Sequence, residues 1–132
     1  SPGGHVESGD TIFDLIRYIK PEVRIIGTGW VGSIATHIYL AADKANRYAL
    51  PNTRFLIHQP SGGFGGDAAD IEIHAREILK TRERINGIIA ERTGQTIDRV
   101  GEDTQRDYWM SAEESVEYGL VGKIINDVGE VG

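Results

Sequence analysis

The stretch Val23-Arg24-Ile25-Ile26-Gly27-Thr28-Gly29-Trp30-Val31-Gly32-Ser33-Ile34-Ala35-Thr36-His37-Ile38-Tyr39-Leu40-Ala41-Ala42 decides the architecture. Val23 to Ile26 predicts a short buried strand and Gly27 to Gly32 a turn. Ser33 to Ala42, dense in Ala and aliphatic residues, predicts a helix buried on most sides. Upstream, Ile12, Leu15, Ile16 and Ile19 follow the i, i+3, i+4, i+7 pattern after Ser8, which predicts a helix ended by Pro21. Downstream, Arg47 to Leu50 and Arg54 to His58 predict strands separated by the Pro51-Asn52 turn. Strand, turn and helix alternating in this way indicate an α/β domain.

The remaining elements extend the same pattern. Ile71, Ala75, Ile78, Ile85 and Ile89 form one stripe of a long helix from about Asp67 to Thr93. Asp67 and Asp70 suit its positive end, Arg92 its negative end, and Gly94 a left-handed stop. This helix exceeds the usual length and is charged on its other faces, so it is expected to protrude and pack on another subunit. A short helix near Asp98, a helix from Ser111 with Glu114 in capping-box position, and a strand from Leu120 to Ile125 complete the chain.

The bulk properties exclude several classes. A length of 132 residues predicts a single domain, residues 1–132, with one core. Net charge is -6, with the basic residues scattered, which argues against nucleic-acid binding. The absence of cysteine removes disulfides, thiolate metal sites and a Cys nucleophile, and fits a reducing compartment. No apolar run nears the roughly 18 residues of a membrane span, and Ser1-Pro2-Gly3-Gly4 does not open like a signal peptide. The opening inside a Gly-rich turn leads us to expect a missing upstream segment.

Gly27-Thr28-Gly29-Trp30-Val31-Gly32 matches the G-x-G-x-x-G of dinucleotide-binding turns. The acidic residue required about 20 residues later for the ribose is absent, and Trp30 is bulky where a pyrophosphate must approach. We therefore expect these glycines only to turn the chain.

Three residues have chemical potential. Ser33 stands at a turn-to-helix junction, where a hydroxyl is exposed beside helix-opening amides, although taken alone a simple N-cap is the commoner use of the position. Val31 and Ala35 replace the glycines of a G-x-S-x-G elbow. His58 ends the aliphatic strand Phe55-Leu56-Ile57; a neutral imidazole there can accept a serine proton, or merely close a strand. His5, His37 and His74 are poorer candidates, with His37 expected to pack or bond locally. No metal-ligand spacing occurs. A carboxylate that fixes the imidazole tautomer is available from Asp103 or Asp107, and local chemistry does not choose between them. Arg106, beside Asp107, suits a surface pair or an inter-subunit contact.

These residues resemble the proteolytic subunit of the Clp ATP-dependent protease, within the Clp protease and crotonase-like fold group. The resemblance covers essentially the whole chain. It includes Ser1 to Gly4, the turn at Ser33, Phe55 to Pro60, Asp70 to Leu79, Asp103 to Asp107, and Ser111 through Leu120. The separation of 25 residues from Ser33 to His58 and 49 from His58 to Asp107 is also similar to that family's. The resemblance implies an α/β fold of repeated β-β-α units with a protruding handle helix, lacking its N-terminal part. It implies a serine endopeptidase that needs no cofactor, with Ser33 as nucleophile, His58 as base and Asp107, rather than Asp103, as orienting carboxylate. The amides of Gly4 and Ile34 are implied as the oxyanion hole, and Gln59, Pro60, Ser61 and Gly62 as the strand that holds an extended substrate. Arg106 is implied as a ring-to-ring contact. The implied setting is cytoplasmic: stacked heptameric rings, of this subunit alone or together with a paralogous subunit, fed unfolded polypeptide by an ATP-dependent AAA+ unfoldase. The competing expectations are an inactive ring subunit and an acyl-CoA enzyme of the wider fold group. Trp30 and Gly32 depart from the commoner family residues at the nucleophile turn.

Overall fold

Short aliphatic strands too brief to bury themselves must stack between helices, and the chain solves this by repeating one unit. The structure, a computed structural model, describes residues 1–59 and 67–132. Helix α1 (Val6–Tyr18) leads into β1 (Ile25–Gly27), β2 (Trp30–Gly32) and α2 (Ile34–Tyr39). A second β-β-α unit follows with β3 (Arg47–Ala49), β4 (Arg54–Ile57) and α3 (Ala68–Thr93). Helix α4 (Ile97–Asp103), β5 (Tyr108–Ser111), α5 (Ala112–Tyr118) and β6 (Lys123–Ile124) complete it.

The first strand of each unit enters one sheet and the second strand enters another. The first sheet has the order β1-β3-β6, all parallel; the second has β2-β4-β5, with β2 parallel and β5 antiparallel to β4. The register sets Gly32 beside Leu56, so the end of β2 and the end of β4 emerge together. That pairing brings Ser33 and His58 to one edge.

Three strands depart from the sequence expectation. The predicted turn Gly27 to Gly32 is a turn only at Thr28 and Gly29; Trp30 to Gly32 pair with β4 as a strand. Gly29, at φ 59, reverses the backbone where a side chain would be strained. The segment Tyr108 to Ser111 also forms a strand, because Phe55 and Met110 pair within the core. Of the expected strand Leu120 to Ile125, only Lys123 and Ile124 pair; Leu120 and Val121 are fully buried in the turn after α5.

The long helix is well marked at both ends. Asp67 accepts a hydrogen bond from the Asp70 amide, and Gly94 ends the helix with φ 81. Its C-terminal half buries Ile85 and Ile89 against the core, whereas Ile71, Ile73 and Leu79 are exposed. At the far side Arg47 is buried and donates to the carbonyls of Arg92 and Gly119, closing the ends of α3 and α5. Burial and nearby Arg92 lower its guanidinium pKa to about 10. Ser111 and Glu114 form the expected capping box of α5.

Candidate active site

Strand β2 must become helix α2 within one residue, and Ser33 is that residue. Its φ of 57 and ψ of -126 make it the one non-glycine at positive φ among the described residues. Its side chain makes no capping bond to the helix, so the simple N-cap use of this position is not realised. The corner is held from below: the Ser33 amide donates to the Leu56 carbonyl at 3.1 Å, and the Thr36 amide donates to the Ser33 carbonyl at 3.0 Å. Thr36 Oγ1 reaches the carbonyls of Val31 and Leu56, tying both strands to α2. The absence of glycine at positions 31 and 35 therefore does not prevent a strained elbow of the strand-to-helix kind.

At the end of β4, His58 Nε2 lies 2.7 Å from Ser33 Oγ. Its Nδ1 lies 3.1 Å from Asp107 Oδ1, just before β5. A carboxylate at Nδ1 favours the tautomer in which Nδ1–H donates to Asp107, leaving Nε2 to accept the Ser33 proton. Asp107 is 65% exposed and His58 30% exposed at the side chain, so the line opens to solvent on the carboxylate side. Asp103 is engaged elsewhere: Tyr118 donates to it at 2.8 Å, and burial together with that carboxylate raises the Tyr118 pKa.

The first residues of the chain lie along the same corner. Ser1 pairs with β2 in parallel fashion, its amino group donating to the Trp30 carbonyl and its carbonyl accepting from Gly32. Gly3 then packs on Ser33 and the Ile34 amide, with Gly4 next to it. Arg106 is exposed beside Asp107. The Gln59 amide donates to the Thr104 carbonyl at 2.9 Å, while Pro60, Ser61 and Gly62 lie outside the described residues. Groups of three or more metal-ligating side chains do not occur among the described residues.

Beside Ser33 a narrow cavity of about 20 Å³ enters the core, lined by Val6, Ile34, Ile57, Ile85, Ile89 and His37. His37, expected to pack or bond locally, is buried here at 2% exposure. It stacks on Phe13 at 4.5 Å, and its Nε2 is 3.2 Å from Asp10 Oδ1 at an angle short of a hydrogen bond. Asp10 is in turn gripped by Arg84 through two bonds of 2.9 and 2.8 Å. Burial holds the His37 pKa below its ordinary value, outweighing Asp10, which pulls it up.

A serine hydroxyl set against an imidazole at a strand-to-helix corner is an arrangement that serine hydrolases built on α/β folds use. The comparisons narrow the class. The Clp protease family model matches residues 1–128, and the chain belongs to that family. It is 59% identical over 131 residues to the "ATP-dependent Clp protease proteolytic subunit 3" of Rhizobium meliloti strain 1021, covering 99% of this chain and 67% of the relative. Against the corresponding "proteolytic subunit 2" of Pseudomonas aeruginosa it is 60% identical, covering 99% of this chain and 65% of the relative. A solved ClpP1 mutant from Listeria monocytogenes superposes with a TM-score of 0.93 at 52% identity, covering 100% of this chain and 73% of that one. The chain thus spans about two-thirds of the length of these relatives. The α/β fold expected from the resemblance is the one observed. None of the described helices is long and apolar enough to cross a membrane.

Proposed function

We propose that this chain is the catalytic portion of a serine endopeptidase that cleaves unfolded polypeptides through an acyl-enzyme at Ser33. The observation that carries the proposal is His58, which stands within hydrogen-bond reach of Ser33 on one ring nitrogen and Asp107 on the other. Ser33 Oγ attacks the peptide carbonyl carbon while its proton passes to His58 Nε2. The oxyanion is held by the amides of Gly4 and Ile34. As the carbon–nitrogen bond breaks, Nε2 returns the proton to the leaving amine. Water then repeats the sequence on the ester and frees Ser33. Asp107 keeps the imidazole in its productive tautomer and stabilises the cation that forms.

The family implies a wider setting. Exposed apolar residues on the outer half of α3 and exposed Arg106 suit contacts between subunits in stacked heptameric rings. An ATP-dependent AAA+ unfoldase would deliver substrate, with Gln59, Pro60, Ser61 and Gly62 pairing with it as an added strand. A fluorophosphonate applied to the assembled protein is expected to label Ser33, and Ser33→Ala to abolish labelling and peptide cleavage. Labelling at another residue, or cleavage surviving in Ser33→Ala, would overturn the assignment.

A further inference from the structure

The two residues at which the nucleophile turn departs from the commoner family pattern touch each other. Gly32 lies in strand β2 with a φ that is not positive, so its backbone alone would accept a side chain. The space around it would not. A Cβ at position 32 would stand 2.7 Å from Trp30 Nε1, 3.1 Å from Cε2 and 3.4 Å from Cζ2. Residues i and i+2 of a strand point to one face, and the Trp30 indole lies over the open face of Gly32. The ring is braced in that place: it leans on Trp109 with centroids 5.6 Å apart, and Arg54 stacks on the Trp109 ring at 4.2 Å.

Gly32 is the last residue before the strained Ser33, and glycine is the residue whose backbone wanders most easily. Its peptide is gripped by two neighbours. Gly3 sits so close that a Cβ there would be 2.8 Å from the Gly32 carbonyl oxygen, and the Trp30 indole fills the place where a Gly32 side chain would be. Resting on the acyl-enzyme reading above, we propose that Trp30 is a positioning residue, whose indole stands in for the missing Gly32 side chain and so keeps Ser33 Oγ 2.7 Å from His58 Nε2. Trp30 and Gly32 form one size-matched pair: a ring at position 30 requires an empty position 32, and a side chain at 32 removes the need for the ring. Trp30 acts through Gly32 and takes no part in the bond-making steps.

The test is a double-variant cycle on the assembled protein, read by the rate of Ser33 labelling with a fluorophosphonate and by kcat and KM on a short peptide. Gly32→Ala drives a methyl group into the indole and is expected to lower labelling and kcat by roughly tenfold or more, since shifts of about 1 Å in reacting groups cost on the order of a hundredfold. Trp30→Gln releases the glycine and is expected to lower both by roughly two- to fivefold, the fold-change equivalent of the freedom that glycine regains. The double variant Trp30→Gln, Gly32→Ala is expected to recover by at least about fivefold over Gly32→Ala, with KM within about twofold of wild type throughout. A double variant no faster than Gly32→Ala, or Gly32→Ala within about twofold of wild type, overturns the pairing. A loss carried by KM rather than kcat overturns the positioning role. Where Gly32→Ala fails to assemble, the double variant is compared with wild type directly, and a loss beyond about tenfold overturns the pairing. Wild-type protein that leaves the peptide uncut and Ser33 unlabelled instead overturns the hydrolase reading beneath it.

Discussion

Gly3 lies flat against Ser33: a Cβ at position 3 would stand 2.7 Å from Ser33 Cβ, 2.8 Å from the Gly32 carbonyl oxygen and 3.0 Å from the Ile34 amide nitrogen. Main-chain atoms cannot swing aside as a flexible side-chain end can, and Gly3 also has φ 90, where an L side chain is strained. Gly3→Ala must therefore displace either the serine corner or the Gly4 amide. Shifts of about 1 Å in reacting groups cost on the order of a hundredfold. The Ser33 labelling rate is expected to fall by that much in Gly3→Ala, and a rate within twofold of wild type would refute it.

Strain at Ser33 makes a stability prediction that runs against activity. Holding a non-glycine residue at φ 57 and ψ -126 costs about 1–3 kcal/mol, whereas glycine adopts such angles freely at an entropic cost of roughly 0.5–1 kcal/mol. Ser33→Gly is expected to be inactive yet more stable by about 1 kcal/mol. Ser33→Ala, which keeps the strain, is the control. Denaturant titration of both variants decides the matter, and equal midpoints would remove strain as the explanation.

What was readable in the sequence follows from how many residues vote for each feature. Helix α3 offers many positions and two marked ends, so Asp67 and Gly94 bound it closely. Strand β2 has only three residues and ends in Gly32, a poor strand former, so only its pairing with Arg54, Phe55 and Leu56 makes it a strand. Strand β5 was hidden in the same way, since Tyr108 to Ser111 gain their partner from β4. At the site, Ser33 and His58 each had an ordinary alternative use, and neither Asp could be preferred locally. Family resemblance singled out Asp107, whereas the structure adds the distances. The polar group of His37, Asp10 and Arg84 was illegible because α2, α1 and α3 supply one residue each, and only packing brings them together.

Replacing Asp107 by Asn keeps the shape of the line while removing its charge. An Asn amide at Nδ1 favours the wrong imidazole tautomer, and loss of a buried aspartate in this role costs about 10⁴-fold in kcat. Asp107 is largely exposed, so solvent supplies part of its stabilisation, and a smaller loss of about 10²–10³-fold is expected. Steady-state kcat on a short peptide is the measurement. A loss below fivefold would remove Asp107 from the orienting role.

Thr36 supports the corner without touching substrate chemistry. Its hydroxyl lies 3.2 Å from the Val31 carbonyl and 2.9 Å from the Leu56 carbonyl, directly beneath Ser33. Thr36→Val preserves shape but removes the hydroxyl donor. The Leu56 carbonyl keeps the Ser33 amide, so the cost is that of one hydrogen bond, about 0.5–1.5 kcal/mol. Thr36→Ser keeps the bond and should lose less. Equilibrium unfolding of the pair separates hydrogen bonding from packing, since Val and Ser losing equally would exclude the hydroxyl as the cause.

The buried imidazole of His37 also predicts how stability responds to acid. Burial lowers its folded pKa below the ordinary 6.5, with Arg84 acting in the same direction and Asp10 and Asp14 opposing. Between the folded and unfolded values the unfolded chain binds the proton more readily, so falling pH favours unfolding. The stability associated with neutral His37 is thus complete above the unfolded value and is lost as pH falls through the folded one. Arg84 remains charged across this range, whereas Asp10 is a carboxylate common to wild type and His37→Phe. The difference in unfolding free energy between wild type and His37→Phe, measured from about pH 8 to about pH 5, is therefore expected to move against wild type as pH falls. A difference that stays constant, or moves the other way, would show that protonating His37 is no harder in the folded protein than in the unfolded chain.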